Sequence, residues 1–207
     1  MVMVANRTGI EVGHLAGKYP GLVGHLYSPG AQRGPYSFMP YALDNGAFPA
    51  WMKKAEWDES AWRRLLLWAA MSGQQPLWVL VPDVVADRER TLVNWQVYAP
   101  IVVAHGWRPA LAIQDGMTFD DVPSSDCVLF LGGSTEWKEA AIGPWCRRFP
   151  GRVHVGRVNT WRRLLACYHA GAISVDGTGW FTKKGGQAAD LVRFFEYAQS
   201  EGARRAA

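Results

Sequence analysis

The sequence predicts an α/β fold, a compact (β/α)8 barrel of the TIM type with room for irregularity, on three observations. Continuous apolar runs of strand length alternate with stretches of helical spacing; the alternation never yields to a block of strands or of helices; and nearly every apolar run ends in a polar side chain, a Gly or a Pro. Continuous apolar strands between amphipathic helices mean a parallel sheet covered by helices, either a closed barrel or an open doubly wound sheet. An open sheet concentrates its active residues near one switch point, whereas a barrel collects them from most strand ends around one mouth. Asp44, Asp83, Gln114, Gly132 with Gly133, Gly156 and Asp176 follow six different runs, which favours the barrel. The 207 residues then form one domain, 1–207, near the small end of the usual barrel range. Its helices and loops must be lean, or one unit degenerate.

Taken in order, residues 22–27 (LVGHLY) read as a strand, and 36–43 (YSFMPYAL) as a second that stops at the turn signal Asp44-Asn45-Gly46. Asp58-Glu59-Ser60 can cap a helix over 61–71, where Trp62, Leu65, Leu66 and Ala69 recur at helical spacing before Ser72-Gly73. Residues 77–81 (LWVLV) form a strand closed by Pro82-Asp83, and 87–104 return to helical spacing, with Pro100 kinking or ending the helix. Strands at 109–113, 127–131 and 153–155 follow, with helices at 135–149 and 160–170. A last strand, 172–175, stops at Asp176-Gly177-Thr178 and precedes a helix over about 187–200. Seven strands are legible in this way.

Composition narrows the class. At 49% hydrophobic and 19% charged the chain can bury a core, which excludes a disordered segment. Its 22 Lys and Arg against 18 Asp and Glu leave a formal charge of +4, enough to permit a polyanionic partner without requiring one. Cys127, Cys146 and Cys167 form no CxxC or CxC pair, so neither a disulfide framework nor a zinc knuckle is expected, and no metal or cofactor is implied. Neither a basic, apolar leader nor a span of about 20 apolar residues is present, so the expectation is a soluble, cytoplasmic protein.

The chemistry rests on Asp44, Asp83 and Asp176, which each follow an apolar strand and in a barrel converge with Gln114 on one pocket. A single Asp after a strand is more often a helix cap or turn residue. Three together with a Gln favour a functional reading, because clustered acids raise one another's pKa and can divide nucleophile and general acid/base roles, as chemistry at an anomeric carbon requires.

The segments LDNGAF (43–48), LVPDVVAD (80–87), AIQDG (112–116), LGG (131–133), HVGRV (154–158) and GAISVDGTGW (171–180) resemble, in order and approximate spacing, the tRNA-guanine transglycosylase family. That resemblance covers about 43–180 and implies an irregular (β/α)8 barrel. It also implies base exchange, in which a carboxylate attacks the anomeric carbon of a guanine nucleotide and a 7-deazaguanine replaces the departing guanine. By the same resemblance Asp176 is the nucleophile and Asp44 the general acid/base. Asp83 and Gln114 read the edge of the base, the backbone of Gly132 and Gly133 approaches its carbonyl side, Phe48 stacks on it, and Val155 is an apolar wall. An amide and a carboxylate can read guanine's donor and acceptor edge while an aromatic face takes its π surface.

The chain also departs from the family. No zinc cluster follows Asp176, the basic loop expected there is replaced by GTGWFTKKGG, and Asn45 and Ala47 stand where a Ser and a Gly are usual. A compact, zinc-free relative most resembles the 7-deazaguanine DNA transglycosylases of phages and bacterial DNA-modification clusters. DNA is therefore the expected polymer, ahead of tRNA, and a free 7-deazaguanine base the second substrate.

Lys183 and Lys184 follow Asp176 within eight residues and, with Arg157, are candidate phosphate contacts, whereas Arg147-Arg148 reads as a solvated helix face. Trp180 either packs in the core or stacks an extruded base. Two other function classes remain at this point: an N-glycoside hydrolase that uses the same acids with water as acceptor, and a non-catalytic nucleic-acid-binding barrel.

Overall fold

The computed structural model describes residues 1–5, 10–30, 34–181 and 187–206. Eight parallel strands close into a barrel in sequence order: β1 (Val2–Ala5), β2 (Val23–Tyr27), β3 (Tyr41–Leu43), β4 (Val79–Leu80), β5 (Pro109–Ile113), β6 (Val128–Leu131), β7 (Val153–Val155) and β8 (Ser174–Gly177). Seven helices accompany them: α1 (Ile10–Lys18), α2 (Ala47–Met52), α3 (Glu59–Met71), α4 (Arg88–Ala104), α5 (Thr135–Arg148), α6 (Trp161–Ala170) and α7 (Gln187–Ala206). Closure runs through β1, which pairs with β2 on one side (Val2 with Val23) and with β8 on the other (Val2 with Val175).

The strand unread in the sequence is thus β1, whose four residues are too few to display a pattern. Helices α1 and α2 were also illegible: α1 carries Gly13 and Gly17, and α2 is six residues long with Pro49 inside it. Pro100 neither ends nor replaces part of α4, which continues to Ala104. Helix starts follow their caps, since Asp58, Asp87, Ser134 and Thr160 each accept a backbone N–H two or three residues into the helix.

Alternation along each strand sorts side chains into two cores. Met3, Leu26, Ala42, Leu80, Ala110, Ala112 and Val128 fill the barrel interior with Trp78. Leu43, Val79, Leu111, Ile113, Leu129, Leu131, Val153, Val155 and Val175 face outward into the larger core under the helices. Three alanines are among the inward side chains, where space is tight, and the parity of two along each strand sends their neighbours outward. No helix among the described residues is long and apolar enough to cross a membrane.

Candidate active site

A cavity of about 510 Å³ opens at the C-terminal ends of the strands, with Leu26, Leu80, Ala112 and Phe130 as its apolar floor. Asp44, Asp83, Gln114, Gly132, Gly133, Phe48, Arg157 and Asp176 all line it. The convergence expected of six strand ends is therefore present, and it comes from the barrel closure that makes these ends one rim.

Asp176 is anchored from two sides. It lies within β8, where its inward parity matches that of Ser174, and it does not follow the strand as the sequence suggested. Its Oδ1 accepts the backbone N–H of Arg157 at 3.2 Å. Its Oδ2 lies 3.1 Å from Nε2 of His154, whose Nδ1 is 2.7 Å from the Ser174 hydroxyl. His154 is fully buried between the rings of Trp78 and Phe130, each 4.8 Å away between centroids. Burial lowers its pKa, against the opposing pull of Asp176, so the imidazole is neutral. A carboxylate only accepts, which assigns the proton to Nε2 and leaves Nδ1 to accept from Ser174.

Asp44 sits on the turn after β3. Its Oδ2 accepts from the Ser28 hydroxyl and its Oδ1 from the Asn45 N–H, both at 2.8 Å. Burial raises its pKa, the Ser28 hydrogen bond works against that, and the charge of Asp176 raises it further. Asp83 is pushed up to about 6, first by burial, with the Asn45 hydrogen bond opposing and the charge of Asp44 adding to the rise. Its two oxygens accept from Asn45 Nδ2 at 2.7 Å and Gln114 Nε2 at 2.6 Å. Asn45 also donates to the Val81 carbonyl and accepts from the Ala47 N–H, so this buried amide ties the Asp44 turn to the end of β4. Gln114 accepts from the Ala86 N–H at 3.2 Å and keeps one amide hydrogen for a ligand.

Arg157 crosses the mouth. It occupies a left-handed backbone position (φ 59) after β7, donates from its side chain to the Gly133 carbonyl, and places its guanidinium 4.5 Å from the centroid of the Phe48 ring. Since β3 and β7 are four strands apart in a closed ring of eight, this contact spans the opening from side to side. Arg157 is a pocket residue as well as a candidate phosphate contact. Gly133 needs to be glycine: its φ is +66, and an added Cβ would lie 2.2 Å from Asp115 Oδ1.

Two expectations fail here. Val155 is not a wall of the pocket, because it faces outward into the core under the helices, and the inward positions of that segment belong to His154 and Gly156. Trp180 is not a stacking surface: it is 1% exposed, packed in the same outer core behind Gly177. Lys183 and Lys184 lie outside the described residues.

The sequence reading missed His154, Ser174, Ser28 and Lys138. Counting in twos back from Asp176 reaches Ser174, and one polar residue inside the run VHV was a signal for His154. Lys138 carried none, since TEWKEA at a helix start reads as a solvated face. Yet it is buried, with Nζ 2.5 Å from the Gly156 carbonyl, and burial, then the charge of Arg157, lowers its pKa to about 8. It thereby braces the turn that presents the Arg157 N–H to Asp176. Among the described residues no cluster of three or more His, Cys, Asp or Glu side chains is arranged to hold a metal ion.

No protein-family model matches the chain, and no curated protein matches it. Several solved structures are similar to it, two of which follow. One is described as "Native KDPGal structure", with a TM-score of 0.53 and 13% identity over 96% of this chain and 95% of that one. The likeness is one of fold. The other is a cube-shaped, highly porous protein cage designed by fusing symmetric oligomeric domains, with a TM-score of 0.51 and 14% identity over 99% of this chain and 74% of that one. Both share the barrel with this chain, and at such identities neither speaks to its chemistry.

Proposed function

We propose that this chain is a pentosyltransferase, a guanine transglycosylase that exchanges guanine in DNA for a 7-deazaguanine base through a covalent ester on Asp176. The observation that carries this reading is the pairing of two acids in one pocket: Asp176, oriented by the buried His154 ring and the Arg157 N–H, and Asp44, held on its turn by Ser28 and Asn45 and raised above the ordinary carboxylate range by burial. Such a division of environments is what a nucleophile and a general acid need.

In the first step an Asp176 oxygen bonds to C1′ of the target nucleotide as the C1′–N9 bond breaks. The bonding electrons leave with guanine, and Asp44 gives its proton to the base. In the second, Asp44 takes the N9 proton of the incoming deazaguanine, whose nitrogen bonds to C1′ and displaces Asp176. Protons and electrons balance between the two bases and the two acids. Ionised Asp83 accepts from the N1–H and the 2-amino group, and the remaining Gln114 hydrogen meets the 6-oxo group. The choice of DNA over tRNA rests on the departures at Asn45, Ala47 and the loop after Asp176.

The test is nucleoside mass spectrometry of single-stranded DNA, duplex DNA and tRNA incubated with the purified chain and isotopically labelled guanine. Label should enter DNA and fail to do so with Asp176→Asn, which keeps the shape and loses the nucleophile. Label in tRNA alone overturns the choice of polymer, and guanine released without replacement points to a hydrolase.

A further inference from the structure

A base-exchange enzyme must hold the strand on either side of the nucleotide it opens, and the residues first considered for that work do not include an exposed aromatic. The rim contains one. Trp51, at the end of α2, lines the cavity and is 52% exposed, and its ring stacks on Phe48 with centroids 5.9 Å apart and planes 29° from parallel. Met52 beside it is 61% exposed. Lys53 and Lys54 follow immediately, both exposed, and among the described residues neither lies within ion-pair distance of a carboxylate. Glu56, also exposed, is the nearest acid in sequence. The segment is tethered: Lys53 N–H reaches the Pro49 and Ala50 carbonyls, and Trp57 Nε1 donates to the Asn45 carbonyl at 2.8 Å, next to Asp44.

We propose that this rim is the surface on which a nucleic-acid strand lies as its target guanine enters the pocket, with a flanking unpaired base stacked on Trp51 and its phosphates met by Lys53 and Lys54. The inference rests on the proposed base exchange for its choice of partner and on the rim for its geometry. A flat aromatic of which half faces solvent, adjoining two free cations at a pocket mouth, matches an unstacked strand: bases of any identity take the ring face, and phosphates take the charge. Charge also argues for this occupant over a protein, because the exposed apolar pair Trp51 and Met52 is bordered by cations, and Arg157 adds a third across the mouth.

Fluorescence anisotropy with a labelled single-stranded DNA oligonucleotide containing one guanine tests it, using the full chain. Trp51→Ala should weaken binding by about ten-fold, the order that one base-aromatic stack provides, and Trp51→Phe should recover most of it. The double variant Lys53→Ala with Lys54→Ala should lower the slope of log affinity against log salt by about 1.4, or about 0.7 for each phosphate released. Calorimetric binding of the free deazaguanine should be unchanged in the lysine variant, which separates strand holding from base recognition. Oligonucleotide affinity and salt slope unaltered in all three variants would overturn the proposal and leave Trp51 and Met52 as a protein contact. Should the variants behave as expected while wild-type protein exchanges no base in DNA, the strand surface stands and the assigned reaction falls.

Discussion

His154 has the most consequential single position in the site, because it links the barrel interior to Asp176, the proposed nucleophile, without lining the cavity itself. Its Nε2–H holds one oxygen of Asp176 and its Nδ1 is fixed by Ser174, so the carboxylate is oriented before any substrate arrives. Phenylalanine at this position would preserve the stack between Trp78 and Phe130 and remove the donor. A hydrogen bond to a charged group contributes about 1.5–3 kcal/mol, so His154→Phe should slow formation of the covalent adduct roughly 10- to 150-fold. The apparent KM for the oligonucleotide should stay near the wild-type value, since His154 is fully buried and does not line the cavity. His154→Gln, which can return an N–H near the place of Nε2, should recover part of the rate. Quenched-flow measurement of adduct formation decides the matter, and an unchanged rate in His154→Phe would remove His154 from the machinery.

At the scale of elements, the turn between β7 and α6 does the work that no single residue could. Lys138 reaches into it from α5 to hold the Gly156 carbonyl, and the other end of that same peptide presents the Arg157 N–H to Asp176 on β8. Three elements are thus locked around one carboxylate. Gly156 is where this lock has no slack: an added Cβ would lie 2.7 Å from Cε1 and 2.9 Å from Cζ of Phe130, and 3.3 Å from Asp176 Oδ2. Gly156→Ala should therefore destabilise the fold by about 1–3 kcal/mol through overpacking and, under the proposed function, reduce adduct formation by displacing Asp176. Adding Phe130→Leu should restore much of the stability measured by urea unfolding. Undiminished stability in Gly156→Ala alone would show that the turn has room after all.

For the molecule as a whole, gathering acids at one dry mouth has a cost that pH can expose. Asp83 keeps its proton up to about pH 6 in the folded state, whereas the unfolded chain releases it near the ordinary 3.8. Between these values the folded state binds the extra proton, so this group's contribution to stability falls as pH rises through the window. Asp44, raised for the same reason, acts in the same direction. His154, whose pKa burial lowers, acts the opposite way as pH falls below about 6.5, so the informative quantity is a difference. Urea unfolding of wild type and Asp83→Asn at intervals from pH 4 to 7 should show wild type losing stability relative to the variant as pH climbs to 6. Parallel pH profiles would contradict the burial argument. Under the proposed function the same window would govern base capture, because Asp83 must be ionised to accept from a guanine edge.

Most of the order of strands and helices, and with it the barrel, is readable because all but β1, α1 and α2 announce themselves locally, by a run of apolar residues, a capping Asp or Ser, or a Gly at a stop. Asp44, Asp83, Gln114 and the Gly132-Gly133 pair were readable for a related reason, as each follows an apolar run and strand ends in a closed barrel share one rim. What the chain could not display was parity and distance. Whether Val155 or His154 points inward depends on register across β7 and β8, and a shift of one residue exchanges the two faces. Trp180 and Trp51 look alike as letters in loops after strands, yet one is packed behind Gly177 and the other stands at the rim. Lys138 is a solvated side chain by its neighbours in sequence and a buried brace by its neighbours in space. Those assignments needed the closed barrel, because they are set by contacts between residues tens of positions apart, about which local pattern carries no information.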